Sequence, residues 1–177
     1  PKVHIHNQDA FIYVRETTHQ YDRVIIDFPD PHNEAISKLY SVEFYALLAN
    51  RMTPGAVAVS QSSSPFFAHR TFWSIGEQMG AVFDQTVAYN VTIPSFGLWG
   101  FQMATKSSND LSTAPETNAA TRFWTSGVYS ASQTFGKDIT RPEKSPVNSI
   151  FEPVIYHLYL EDVTGNPLKK MIATVNG

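Results

Sequence analysis

Tyr21-Asp22-Arg23-Val24-Ile25-Ile26-Asp27-Phe28-Pro29-Asp30-Pro31-His32-Asn33 is the stretch on which the fold turns. Residues 21–27 hold an apolar, β-branched run that stops abruptly at a carboxylate, and the prolines behind it forbid regular structure over 28–33. Such an uninterrupted run predicts a strand covered on both faces, as in a parallel sheet. Upstream, residues 3–6 alternate like a short strand, 7–9 form a loop and 10–16 form a short helix. Downstream, Leu39, Val42, Phe44, Tyr45, Leu47 and Leu48 give one long helix over 34–52 an apolar side, and Thr53-Pro54-Gly55 ends it. A buried strand over 56–61, a helix over 69–80, and two strands over 83–93 and 97–105 around Pro94-Ser95-Phe96 complete the series.

The order β-α-β-α-β-α-β-β predicts an α/β fold with a mostly parallel sheet and an antiparallel hairpin at its end. Residues 1–106 form this domain. Residues 107–120, rich in Ser, Thr, Asn and Pro, read as a flexible linker, and 121–177 as a helical and extended extension packed on the same domain. In that extension a short helix is expected over 122–132 and another over 153–161, with Val154, Ile155, Leu158 and Tyr159 facing the body, while 168–177 suggests no element.

Composition narrows the function. The chain has 177 residues and a formal charge of −3, so it lacks the basic excess of a nucleic-acid binder. It has no cysteine, which excludes disulfides, thiolate metal sites and a cysteine nucleophile, and suits a reducing compartment such as the cytoplasm. No apolar stretch approaches the roughly 18 residues that span a bilayer. The chain starts at Pro1 and enters a strand-like pattern at once, so we expect it to be a piece of a longer protein.

In open α/β sheets, ligands bind beyond the carboxyl ends of the strands. Asp9, Asp27 with Asp30, and Gln61 all follow strand-like runs and would share that rim. Asp27 and Asp30 in a proline-punctuated loop call for a cation, whether a metal, an arginine or an amine; otherwise Asp27 caps the turn and Asp30 is solvated. Asp9 suits either an N-cap for the helix that begins at Ala10 or an acceptor for a nucleobase amino group. Gln61 suits a loop-capping amide, or one that orients an amine or a ribose. Phe96, Trp99 and Phe101 offer aromatic faces that attract ammonium or sulfonium cations, or else belong to the core. The histidines do not assemble: His4 and His6 share a strand face, and two ligands do not make a metal site.

Several segments together resemble one family. Residues 21–31 look like the "YDVIIxDxxDP" signature of spermidine synthases, and Leu39-Tyr40-Ser41-Val42-Glu43-Phe44-Tyr45 resembles their "L(Y/F)xxEFY" helix start. Ile93-Pro94-Ser95-Phe96-Gly97-Leu98-Trp99-Gly100-Phe101 is similar to "VPSFGEWGF" of a bacterial subgroup that often carries a transmembrane region before the synthase domain, and Thr121-Arg122-Phe123-Trp124-Thr125 and Phe135-Gly136-Lys137-Asp138 look like its "TRFLT" and "FxKD" segments. The resemblance implies a Rossmann-like fold of the S-adenosylmethionine-dependent methyltransferase type. The implied activity is aminopropyl transfer from decarboxylated S-adenosylmethionine, a co-substrate rather than a cofactor, to a diamine such as putrescine, with no metal. By resemblance, Asp27 accepts the proton of the attacking amine and Asp30 holds the cationic polyamine. Gln61 gives a hydrogen bond in the amine channel, Asp9 and Ala10 recognise adenine, and Phe96 and Trp99 wall the pocket. Expected partners are the polyamine and nucleoside sulfonium substrates, a homo-oligomeric copy, and no nucleic acid. The expected setting is the cytoplasm, at the inner face of the membrane if the parent carries transmembrane helices.

The sequence departs from the family's pattern. The glycine-rich loop, the ribose-binding acid and the first two strands belong before Pro1, so the chain by itself should bind the nucleotide poorly. Phe96 stands where many soluble members carry tyrosine, and Leu98 replaces the subgroup's acid, which puts the identity of the amine in doubt. Two rivals follow: a methyltransferase on the same fold, and a non-catalytic protein that keeps the scaffold.

Overall fold

A computed structural model describes residues 2–108 and 110–165. In chain order the elements are α1 (Ala10–Glu16), β1 (Tyr21–Ile26), α2 (Glu34–Ser37), a 3-10 turn (Lys38–Tyr40), α3 (Val42–Ala49), β2 (Met52–Gln61), α4 (His69–Gly80), β3 (Gln85–Ile93), β4 (Gly97–Thr105), α5 (Ser126–Ser132) and α6 (Ile155–Thr164). The strands form one sheet in the order β1-β2-β4-β3. β1 runs parallel to β2, while β4 is antiparallel to both β2 and β3, so the sheet is mixed, with one parallel pairing and two antiparallel ones among the described residues. The hairpin folds back so that its second strand, not its first, joins the parallel pair.

Strand alternation decides which side chains meet the helices. Ile26 on β1, Ala56 and Ala58 on β2 and Ala104 on β4 point to one face. There they pack against Val14 of α1, Phe44, Tyr45 and Leu48 of α3, Ile75 and Met79 of α4, and Ile155 of α6. The alanines hold the helices close, and the bulk comes from the aromatics of α3, with Phe44 and Tyr45 almost wholly buried. The opposite face carries Ile25, Val59, Tyr89 and Phe101, which border a cleft. The expectation that β1 is covered on both faces therefore fails: Ile25 is 82% exposed, and β1 is an edge strand.

Three further expectations are corrected. Residues 3–6 form no strand; Val3 and Ile5 are exposed, and with no neighbouring strand to complete a ladder their alternation has nothing to pair with among the described residues. The single helix over 34–52 is three pieces. Ser41 leaves the helical region (φ −89°, ψ 158°) and its hydroxyl accepts from the Phe44 amide, so it ends one helix and caps the next. Thr53-Pro54-Gly55, read as a helix stop, lies inside β2, where the register slips against Tyr21–Arg23 and Gly55 takes φ +77°. The helices and strands over 69–80, 97–105 and 10–16 stand where the pattern put them. The described residues of 107–120 contain no helix or strand, but Leu111 is buried and its carbonyl accepts from the Tyr129 hydroxyl. The segment 168–177 lies outside the described residues.

Candidate active site

β1 ends at Ile26, and Asp27 follows on the rim. Prolines 29 and 31 keep the next residues out of regular structure, and the His32 amide closes a tight turn onto the Asp30 carbonyl (2.7 Å), with the Asp30 side chain reaching the end of β2. There Gln61 waits, 6% exposed. Its Nε2 donates to the Phe28 carbonyl (2.8 Å), to Asp30 Oδ1 (3.1 Å) and to the Tyr40 hydroxyl (3.2 Å). Its Oε1 accepts from the Ser63 amide (2.7 Å) and from Trp99 Nε1 (3.1 Å). One amide therefore joins the β1 loop, the β2 loop and β4. The geometry depends on Ser63, a non-glycine residue at φ +66°, whose carbonyl takes the Gly100 amide while Ser62 donates to the Gly100 carbonyl. Left-handed backbone in a buried loop is a strain that the surrounding bonds must hold in place.

Asp30 has donors on both oxygens: Gln61 on Oδ1, and the Tyr159 hydroxyl of α6 on Oδ2 at 3.1 Å. Asp27 is exposed and accepts no hydrogen bond from the described residues. Tyr40 is fully buried and also donates to the Pro29 carbonyl at 3.1 Å. Burial, with the nearby Tyr45 and Asp30, pushes its hydroxyl far above the ordinary phenol range. Burial and the charge of Asp30 push Tyr159 up to about 12. Both remain neutral donors near neutral pH.

Asp27, Asp30, Gln61, Phe96 and Trp99 line a single cleft of about 650 Å³, floored by Ile25, Val59 and Phe101. The Phe96 and Trp99 rings lie 5.4 Å apart at 47°, and Tyr89 stacks on Phe101 at 5.1 Å. An open, aromatic-walled cleft with two carboxylates at one end fits an elongated cation with an apolar stem.

Asp9 and Ala10 lie elsewhere. Asp9 Oδ1 caps α1 by accepting from the Phe11 amide (2.8 Å), and Oδ2 pairs with Lys38 Nζ at 2.6 Å. The hydrogen bond from Lys38, helped by the Phe11 and Ile12 amides, holds the Asp9 carboxyl below its usual range against the rise from burial. Ala10 borders a second recess of about 310 Å³ with Tyr13, Val24 and Phe44. Ile25, Ile26 and Phe28 border both recesses, while Asp27 lines the first alone. No group of three or more metal-ligating side chains occurs among the described residues.

Sequence reasoning missed Tyr40 and Tyr159 as members of the site. Tyr40 sat in an apolar helix pattern that marks core, and nothing local tied Tyr159 to a loop 129 residues away.

The chain is similar to proteins of one known family. The spermine/spermidine synthase domain matches residues 1–116. The polyamine aminopropyltransferase of Oceanobacillus iheyensis is 36% identical over 163 residues, covering 89% of this chain and 31% of that protein. Polyamine aminopropyltransferase 1 of Streptomyces coelicolor is 38% identical over 164 residues, covering 92% of this chain and 30% of that protein. The chain thus spans just under a third of the length of these relatives. Among solved structures, a spermidine synthase in complex with the transition state analogue AdoDATO aligns with TM-score 0.57 and 22% identity, over 71% of this chain and 43% of that one. Spermidine synthase from Thermotoga maritima aligns with TM-score 0.59 and 22% identity, over 73% and 45%. The fold is accordingly α/β with the methyltransferase-like arrangement of spermidine synthases.

Proposed function

Because the chain belongs to the spermine/spermidine synthase domain family, we propose that it supplies the amine-binding and proton-accepting part of a polyamine aminopropyltransferase. The proposed reaction moves the aminopropyl group of decarboxylated S-adenosylmethionine to a diamine such as putrescine. One observation carries the division of labour: Asp30 has protein donors on both oxygens, while Asp27 has none among the described residues.

A primary ammonium, with pKa near 10, cannot attack until it sheds a proton. Asp27, free to accept at the mouth of the cleft, is the proposed general base. The amine nitrogen forms a bond to the methylene carbon beside the sulfonium. The carbon–sulfur bond breaks, its electron pair stays on sulfur as neutral methylthioadenosine, and the proton passes to Asp27. Asp30, fixed by its two donors, holds the distal ammonium of the diamine. Phe96 and Trp99 flank the cationic centres. Gln61 spends its amide hydrogens on protein acceptors, so its proposed part is to set Asp30 and Trp99 rather than to bind the amine. The nucleoside would take the second recess, with Ala10 at its wall and Asp9 receiving the adenine amino group on the oxygen it shares with Lys38. Holding both substrates beside the end of β1 would supply much of the acceleration by positioning.

No described helix is long and apolar enough to cross a membrane. The proposed setting is the cytoplasm, in keeping with a cysteine-free composition.

The test uses the full-length protein with decarboxylated S-adenosylmethionine and a panel of diamines, read by mass spectrometry. Amine-dependent methylthioadenosine is expected, and Asp27→Asn should cut turnover by roughly 10²–10⁴-fold. Unchanged turnover in Asp27→Asn would sink the mechanism. S-adenosylhomocysteine formed from S-adenosylmethionine would favour the methyltransferase rival.

A further inference from the structure

We infer that Tyr159, from α6 near the other end of the chain, is a positioning residue for the acceptor amine and acts by fixing the carboxylate of Asp30. This rests on the reading of the cleft as an amine site. The Tyr159 hydroxyl donates to Asp30 Oδ2 at 3.1 Å, opposite the Gln61 amide on Oδ1 at 3.1 Å. One donor on one oxygen leaves a carboxylate free to rotate about its terminal bond, whereas donors on both oxygens set its plane. Each oxygen keeps an acceptor position for an incoming ammonium. Tyr159 does not border the cleft, so it reaches the amine only through Asp30.

The docking of α6 does not depend on this hydroxyl. Ile155, at the start of the helix, is fully buried, and its amide donates to Asn148 Oδ1 at 3.2 Å. Asn148 is itself buried; its Nδ2 donates to the Ser37 carbonyl (2.9 Å) and its own carbonyl accepts from the Val42 amide (3.0 Å). One turn beyond Tyr159, Asp162 accepts from Arg70 Nε (2.7 Å) and from the amide (3.0 Å) and hydroxyl (2.9 Å) of Thr71. The side chain of Asp162 is 7% exposed. These contacts pin the helix at both ends, one to the segment that leads into α3 and the other to the start of α4. Tyr159 lies on the same side of α6 as Asp162, three residues away, and is thereby held against the aspartate loop. Its phenol ring adds packing, but the direction of its hydroxyl serves Asp30 alone.

The experiment measures diamine binding by calorimetry and steady-state kinetics on the full-length protein, with putrescine as the probe. Tyr159→Phe removes one hydrogen bond to a charged acceptor and should raise both Kd and KM for the diamine roughly tenfold. The nucleoside KM and the melting temperature should stay near wild type, and the change should fall on KM rather than kcat. In an Asp30→Asn background the same substitution should have almost no effect, because its target is already altered. Equal diamine affinity in wild type and Tyr159→Phe, or an undiminished effect in the Asp30→Asn background, would overturn the inference while leaving the amine site standing. A wild-type protein that binds no diamine would instead remove the amine site itself, and the inference with it.

Discussion

Gln61→Leu should unfasten the site and weaken the fold together. The substitution puts an apolar side chain of comparable size in place of the amide and deletes five hydrogen bonds. Their losses are unequal. The Phe28 carbonyl still has the Tyr40 hydroxyl at 3.2 Å, and Tyr40 still has the Pro29 carbonyl. Asp30 keeps Tyr159 and is open enough for water to replace the amide. The Ser63 amide, buried at 3% exposure, and the indole N–H of Trp99 are left with no acceptor. A buried unpaired donor costs about 1–3 kcal/mol, with the half-buried indole at the low end, so about 3 kcal/mol in all is expected. For a domain of 150–250 residues this corresponds to a melting temperature lower by roughly 6–12 °C. Gln61→Glu separates the parts. Its retained oxygen still serves Ser63 and Trp99, but the donor beside Asp30 becomes a second carboxylate at about the same 3.1 Å. Repulsion on the order of 5 kcal/mol at an effective dielectric of about 20 would be relieved by proton uptake. The introduced carboxyl is then raised in the folded state, so stability falls as pH rises from its unfolded value near 4.3 toward the higher folded one. Differential scanning fluorimetry at pH 5 and pH 8 reads both effects. Melting temperatures within 2 °C of wild type for Gln61→Leu, or a Gln61→Glu variant no more pH-sensitive than wild type, would refute the reasoning.

Two smaller predictions concern the scaffold. Burial would raise the Glu43 carboxyl, but bonds from the Ser149 hydroxyl (2.6 Å) and the Ile150 amide (3.0 Å) outweigh it and hold the group below the ordinary glutamate value of 4.5. A lowered folded pKa means stability present above pH 4.5 and lost as pH falls below it. Glu43→Gln should therefore melt earlier than wild type at pH 7 and converge with it near pH 3; parallel melting curves across that range would contradict the assignment. Gly100→Ala would push a methyl into the Phe72 ring and to 3.0 Å from Pro65, at a strand position locked to Ser62 and Ser63 on both sides. Such overpacking costs about 1–3 kcal/mol. Adding Phe72→Leu should recover part of the loss, and a double variant no more stable than Gly100→Ala alone would count against this account.

Much of the site was legible because it sits where strands stop. Asp27 ends the β-branched run of β1 and Gln61 ends β2, and parallel neighbours bring those ends together whatever their separation in sequence. The register that places Ile26 beside Ser60 sets Asp27 next to Gln61. The hairpin was legible for a similar reason, since Pro94-Ser95-Phe96 interrupts two long strand patterns. What was hidden depends on competition between local and distant preferences. The apolar spacing of 34–52 satisfies a continuous helix, and only the cap at Ser41, with Asn148 accepting the Val42 amide, divides it. Residues 3–6 have strand alternation, but alternation makes a strand only beside a partner. Thr53-Pro54-Gly55 carries turn chemistry that serves equally for a bulge. Tyr159 was read as facing the body, which holds, yet its target was out of reach of any local pattern.

The contact between Tyr159 and Asp30 also orders events in time. A ribosome delivers Asp27, Asp30 and Gln61 early, and β4, which closes the sheet, is complete at Thr105. The second donor to Asp30 and the latch from Asp162 to Arg70 arrive only when α6 emerges, some fifty residues of chain after β4 ends. Until then the nascent chain carries both carboxylates with one of them half-tethered. Contacts so far apart in sequence form late, because the intervening loop must first be closed. A chain cut short before α6 could thus have a formed sheet and an intact acidic motif and still lack a set Asp30 carboxylate, so competence of the proposed amine site would mark completed synthesis of this stretch.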